Sequence, residues 1–197
     1  MTEKLPRRRY WYDCEFVEDG VTIKLLSIGV VCEDGREFYA VNSQPGVMHL
    51  AAQREWLRDN VMPFLPVKLK SPETAERLIS PPSRQWEWDK THPDFPRVRA
   101  HAEIARELLA FLAPEECEPE LWAYYGSYDH VAYAQLFGSM VNLPPGLPQV
   151  THELVQRWED VGRPPTPVQE SGQHDALADA RWNVELWRVC EEARLRG

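Results

Sequence analysis

Leu25-Leu26-Ser27-Ile28-Gly29-Val30-Val31 narrows the folds open to this chain more than any other segment. It is an apolar run of strand length, and such a run suits a strand buried on both faces. Its neighbours are also strand-like. Arg9 to Phe16 is aromatic and β-favouring, and Asp19-Gly20 and Asp34-Gly35 are turn dipeptides. Arg9–Phe16, Val21–Cys32 and Arg36–Asn42 therefore predict a three-stranded antiparallel meander. Downstream the pattern changes. A short helix is expected over Leu50–Val61, and a second over Arg99–Leu112, where Ile104, Leu108, Leu109 and Leu112 form a stripe. A strand at Leu121–Tyr125 leads into a helix from Ser127, its cap, to Phe137. A short strand and the helix Thr151–Val161 follow, and a last helix runs from about His174 to Arg194. Strands first, then alternating helices and strands, give a mixed α/β sheet with helices on its faces.

The 197 residues suit one domain, read as 1–197, with no internal repeat. One stretch fits poorly. Pro63 to Pro96 holds seven of the seventeen prolines, with Trp86 and Trp88 read as exposed, so about 63–98 is expected to be an irregular excursion. Twenty-two Lys and Arg against thirty-one Asp and Glu leave a net charge of −9, which excludes a broad basic grip on nucleic acid. No apolar run approaches the roughly 18 residues of a membrane span, so no membrane partner is expected. The start, Met1 to Arg9, has no secretory pattern. Cys14, Cys32, Cys117 and Cys190 lie far apart without a CxxC pair, as free thiols of a cytoplasmic protein would.

The chemistry concentrates in acids. In Tyr10-Trp11-Tyr12-Asp13-Cys14-Glu15-Phe16, alternation puts Asp13 and Glu15 on one strand face and Tyr12, Cys14 and Phe16 on the other. Two adjacent carboxylates repel, and burial adds to the cost. A hard divalent cation, Mg²⁺ or Mn²⁺, would remove both penalties; an edge strand facing water is the alternative. Asp129 falls in the first turn after the fourth expected strand, where α/β sheets gather ligand groups, although an acid there also suits the helix dipole. In Gly172-Gln173-His174-Asp175-Ala176-Leu177-Ala178-Asp179, His174 and Asp179 are five apart. On one continuous helix that is about 140° around the axis. They converge more easily with His174 in a loop, Gly172 allowing the bend, Asp175 as the N-cap and Asp179 in the first turns.

In this chain order, Asp13, Glu15, Asp129, His174 and Asp179 resemble the four acids and histidine of DEDDh 3′–5′ exonucleases. The wider wording is similar to a narrower group, the polyadenylate-specific 3′-exoribonuclease AS proteins of actinobacteria. It includes Tyr12 through Gly20, Leu26 through Val31, and Gly126-Ser127-Tyr128-Asp129-His130-Val131. The resemblance spans residues 10 to about 188; Cys14 stands where Thr is expected. It implies a ribonuclease H-like mixed five-stranded sheet, antiparallel in its first three strands and flanked by helices. It also implies a 3′–5′ exoribonuclease that releases nucleoside 5′-monophosphates from single-stranded RNA or a 3′ overhang. Two divalent cations would be held with Asp13 bridging, Glu15 and Asp179 on one metal and Asp129 on the other. His174 would be the general base. Glu15 would also accept a hydrogen bond from the 3′-hydroxyl, with Phe16 and Val17 against the last base. The resemblance further allows a homodimer. A DNA exonuclease or oligoribonuclease of the same fold, and a non-catalytic binding module, are the alternatives. Arg7, Arg8, Arg9 and Arg181 are local cations available to assist, and a zinc site from His130, His152 and His174 matches no zinc spacing.

Overall fold

The computed structural model describes residues 4–69 and 86–196. The meander is present as β1 (Arg7–Glu18), β2 (Ile23–Cys32) and β3 (Glu37–Asn42). Then come α1 (Pro45–Gln53), α2 (Glu55–Asn60), β4 (Val67–Leu69), β5 (Trp86–Trp88) and β6 (Val98–Arg99). They are followed by α3 (His101–Leu112), β7 (Glu118–Ala123), α4 (Ser127–Gln135), β8 (His152–Glu153), α5 (Leu154–Asp160) and α6 (Ala176–Arg196). The main sheet runs in the order β6-β3-β2-β1-β7-β8. β2 is antiparallel to both β1 and β3, while β7 is parallel to β1 and β8 to β7. The mixed sheet with antiparallel first strands stands as expected, except that Val98–Arg99 adds a sixth strand beside β3.

The doubly buried run behaves as its composition requires. Ile28 and Val30 of β2 join Tyr10, Tyr12 and Cys14 against Ile104, Leu108 and Leu112 of α3 and Ala132 and Tyr133 of α4. On the opposite face, Val31 and Trp11 meet Ala180, Val184 and Cys190 of α6, and Leu26 and Val17 meet Val47, Met48 and Ala51 of α1. Each fully enclosed aliphatic or aromatic side chain contributes roughly 1.5–3 kcal/mol. β1, the central strand, is thus sandwiched between helical layers, and of its two acids Glu15 is buried and Asp13 half-buried, unlike acids on an edge strand.

Several boundaries differ from expectation. The expected helix over Leu50–Val61 is two helices. The first begins at Pro45, since proline suits the first helical position, and it ends where Arg54 turns extended and its guanidinium donates to the Glu18 carbonyl. β7 begins earlier than expected, at Glu118, because Arg7–Trp11 pairs with Glu118–Trp122. It stops at Ala123, because the Glu153 carboxylate takes the N–H groups of Tyr125 (2.8 Å) and Gly126 (2.9 Å). Gly126, not Ser127, is therefore the cap residue of α4. Trp86 is not exposed: β4 and β5 pair, and its ring packs into the same cluster as α1. The middle of the excursion, residues 70–85, lies outside the described residues. Arg7, Arg9 and Arg181 are engaged with Glu118, Glu33 and Glu37. Among the described residues, no helix is long and apolar enough to cross a membrane, and all four cysteines are buried free thiols.

Candidate active site

Asp13 and Glu15 sit opposite Gly29 and Ser27 on β2, two small residues that leave space over that face. The space is taken by the start of α6, which approaches so closely that a Cβ on Gly29 would lie 2.3 Å from the Ala176 carbonyl oxygen. The loop before α6 bends sharply, with φ +76° at Gly172 and φ 68° at His174. A left-handed histidine costs on the order of 1–3 kcal/mol, a strain often held at functional sites. Here it lets the His174 N–H donate to Asp179 Oδ2 at 2.8 Å. Asp175 Oδ1 accepts from the Leu177 and Ala178 amides at 3.0 and 2.9 Å, so it caps α6 as expected. One ligand atom each from Glu15, His174 and Asp179 then lies within 4.8 Å of the others. Asp13 joins His174 and Asp179 in lining a cavity of about 200 Å³.

Asp129 arrives from the other side. β7 pairs with β1 only as far as Trp11, and past that end the Cys14 amide finds its acceptor in Asp129 Oδ1, at 2.7 Å. Asp129 is thereby buried against the strand between Asp13 and Glu15, but it is not one of the three groups that converge within 4.8 Å. Phe16 lies on the face opposite Glu15, with its ring 6.1 Å from that of Tyr128. Val17 is wholly enclosed in the core, so its side chain cannot meet a base and only its backbone remains available. His130 packs against Tyr133 and His152 stacks on Trp122, away from His174.

Among the described residues, no Lys or Arg forms an ion pair with Asp13, Glu15, Asp129 or Asp179. Burial, then Asp129, Glu15 and Asp179, push the Asp13 carboxyl far above the carboxylate range. Burial first and Asp179 next push Glu15 up to about 9. Burial raises Asp129 to about 7 against the lowering hydrogen bond from Cys14, and it raises Asp179 as well. Hard oxygen ligands, one imidazole and a surplus of negative charge fit a divalent cation.

A carboxyl whose folded pKa is raised holds its proton more tightly when folded, so the folded state loses stability as pH rises from the unfolded value toward the folded one. For Glu15 that window runs from 4.5 to about 9, and for Asp129 from 3.8 to about 7. Acids with lowered pKa, such as Asp19 and Glu37, have given their full contribution by about pH 5. In EDTA the melting temperature is therefore expected to fall by about 5 °C or more between pH 5.5 and 9. Mn²⁺ should restore it most at the alkaline end. A melting temperature that rises across that range in EDTA would contradict the electrostatic reading.

Two neighbours of the site had no sequence signal. Trp56 of α2 sets its ring edge-on to His174, 4.7 Å between centroids, and Gln169 donates to Asp179 Oδ1 at 2.6 Å. Both come from irregular or broken segments in which periodicity carries no information. A cleft of about 660 Å³ between Lys24, Gln44, Leu50 and Gln135 contains none of these acids.

No family model matches the chain. Two proteins of Mycobacterium tuberculosis do: 3′-5′ exoribonuclease MT2234.1 of strain CDC 1551 / Oshkosh and 3′-5′ exoribonuclease Rv2179c of strain ATCC 25618 / H37Rv. Each is 41% identical over 182 residues, which is 92% of this chain and 92% of the relative. Among solved structures, S. pombe Pop2p in its Mg²⁺- and Mn²⁺-bound form matches with a TM-score of 0.41 and 14% identity, over 93% of this chain and 81% of that one.

Proposed function

The chain belongs to the 3′–5′ exoribonuclease family of the two mycobacterial proteins, and from that premise we propose that its acidic cluster hydrolyses RNA from the 3′ end with two divalent cations. The observation that carries this reading is the convergence of Glu15, His174 and Asp179 within 4.8 Å of one another, with no Lys or Arg among the described residues in an ion pair with Glu15 or Asp179. Asp13, Glu15, Asp129 and Asp179 are the residues that would hold Mg²⁺ or Mn²⁺. When bound, such ions stabilise the attacking and leaving oxygens of a phosphodiester displacement.

The chain's own groups supply the rest. A ring nitrogen of His174 takes the proton from the attacking water, a task suited to an imidazole near neutral pH. The Glu15 carboxylate accepts a hydrogen bond from the terminal 3′-hydroxyl, which selects a chain end. The backbone of Phe16 and Val17 follows Glu15 in sequence and is what this stretch offers the last base, since the Phe16 ring lies on the opposite face beside Tyr128 and the Val17 side chain is enclosed in the core. The products are nucleoside 5′-monophosphates, and the substrates are single-stranded RNA or a 3′ overhang. Arg7, Arg9 and Arg181 are already paired with acids, so long RNA is held weakly outside the pocket. These pairs are exposed and inexpensive to open.

A time course on 5′-labelled RNA tests the class and polarity together. A ladder shortening from the 3′ end with Mg²⁺ or Mn²⁺, and abolished by EDTA, is expected; faster cleavage of a DNA oligomer of equal length would overturn the RNA assignment. His174→Ala should lower kcat about a hundredfold and leave KM for RNA close to that of the parent. A large rise in KM with kcat intact would remove His174 from the role of base.

Residues 1–197 form one exonuclease domain in this reading, supported by a single main sheet with α1 to α6 packed on it and by Trp86 docking the excursion into the core beneath α1. A homodimer, measurable by sedimentation, and a cytoplasmic location, in keeping with four free thiols, complete the proposal.

A further inference from the structure

We infer that Gln169 is a positioning residue that fixes the Asp179 carboxylate for metal binding; the inference rests on the two-cation reading above. Asp179 uses both oxygens within the protein. Oδ2 takes the His174 backbone N–H at 2.8 Å, and Oδ1 takes the Gln169 side-chain Nε2–H at 2.6 Å. An ionised carboxylate only accepts hydrogen bonds, so the amide must turn its nitrogen toward it. Each oxygen keeps a further lone pair for a cation. Carboxylate ligands held by outer hydrogen bonds are the usual way a metal site keeps its ligands oriented.

The choice of side chain fits that purpose. A lysine or arginine at this position would neutralise Asp179 and compete with the cation. A neutral amide orients the carboxylate and leaves its charge for the metal.

The loop bearing Gln169 is built to hold it still. Pro164, Pro165 and Pro167 restrict the backbone and carry no N–H that needs a partner. The indole N–H of Trp158 donates to the Pro164 carbonyl at 2.6 Å, and that of Trp182 donates to the Pro167 carbonyl at 3.0 Å. Trp182 lies three residues after Asp179 on α6, so one helix face presents both the ligand and the anchor of the loop that orients it. Gln169, Asp179 and Trp182 line the same cavity.

The test is calorimetric titration of the full chain with Mn²⁺ at fixed pH, comparing the parent protein with Gln169→Leu, which keeps the bulk and removes the donor. Mn²⁺ affinity is expected to fall about 10–100-fold. At limiting Mn²⁺ the variant's kcat should drop, and raising Mn²⁺ should recover it with KM for RNA unchanged; a merely structural defect would not be rescued by metal. Trp182→Phe keeps an aromatic ring against Tyr124 and removes the indole N–H that anchors the loop, and it should weaken Mn²⁺ several-fold. If Gln169→Leu does not fold, Trp182→Phe decides. Parent-like Mn²⁺ affinity in the folded variant overturns the role of Gln169 while the metal reading stands. No Mn²⁺ binding by the parent protein overturns both.

Discussion

Asp13→Asn is expected to lower 3′-end RNA hydrolysis about a thousandfold or more and, at the same time, to raise the melting temperature of the metal-free protein. The two effects have one cause. Asp13 is the acid most surrounded by other acids: Asp129, Glu15, Asp179 and Asp175 all act on it, on top of its burial. Asparagine keeps the size and removes the charge. Without metal, the folded state is relieved of repulsion among the carboxylates. With metal, a ligand proposed for the cations is gone, and loss of the several kcal/mol that bound cations supply to such a displacement is worth a thousandfold or more. Thermal melts in EDTA and in Mn²⁺, run beside the RNA assay, separate the two. The variant should melt higher than the parent in EDTA and gain less from Mn²⁺. Retained activity would remove Asp13 from the metal site, and a melting temperature lowered in EDTA would show that its charge is balanced by some other group.

Gly29→Ala should damage the site without touching any of its functional side chains. The added Cβ would sit 2.3 Å from the Ala176 oxygen and 2.4 Å from the Ala176 carbonyl carbon and Leu177 Cα. These are backbone atoms at the start of a 21-residue helix, so no side chain can swing aside. Either β2 or α6 must move, and overpacking of this kind costs about 1–3 kcal/mol or more. That corresponds to a melting temperature lower by roughly 2–12 °C. Asp179 and His174 ride on the displaced segment, and a 1 Å misplacement can cost about a hundredfold in rate. Gly46→Ala is the control, because nothing lies within 4 Å of a Cβ there and it should leave activity and stability close to the parent's. Equal behaviour of the two alanine variants would show that α6 does not depend on that close approach.

The meander was legible because its signals are local. Alternation along Tyr10–Phe16 and the two Asp-Gly turns need no knowledge of the rest of the chain, and they put Asp13 and Glu15 on one face. The Gly172–Asp179 segment was legible for the same reason: only a loop histidine and a first-turn aspartate converge at that spacing, and the left-handed backbone at Gly172 and His174 provides it. Elements whose limits depend on distant partners were read less well. β7 starts and stops where β1 and Glu153 decide. The break between α1 and α2 at Arg54 coincides with a contact to Glu18, 36 residues earlier. Trp86 is buried by a core that its own proline-rich surroundings do not announce.

The sequence alone determined which residue types are present, in what order, and which of them share a strand face or a helix turn, because backbone periodicity sets those relations over a few residues. It also determined the family resemblance that the mycobacterial relatives bear out. Tertiary structure alone decided that Asp129 holds the Cys14 amide from 115 residues away, that Gly29 admits the α6 backbone, and that Trp56 and Gln169 stand beside His174 and Asp179. Such contacts depend on how layers pack, and packing is set by the shape of every side chain between the sheet and its helices, which no local spacing encodes.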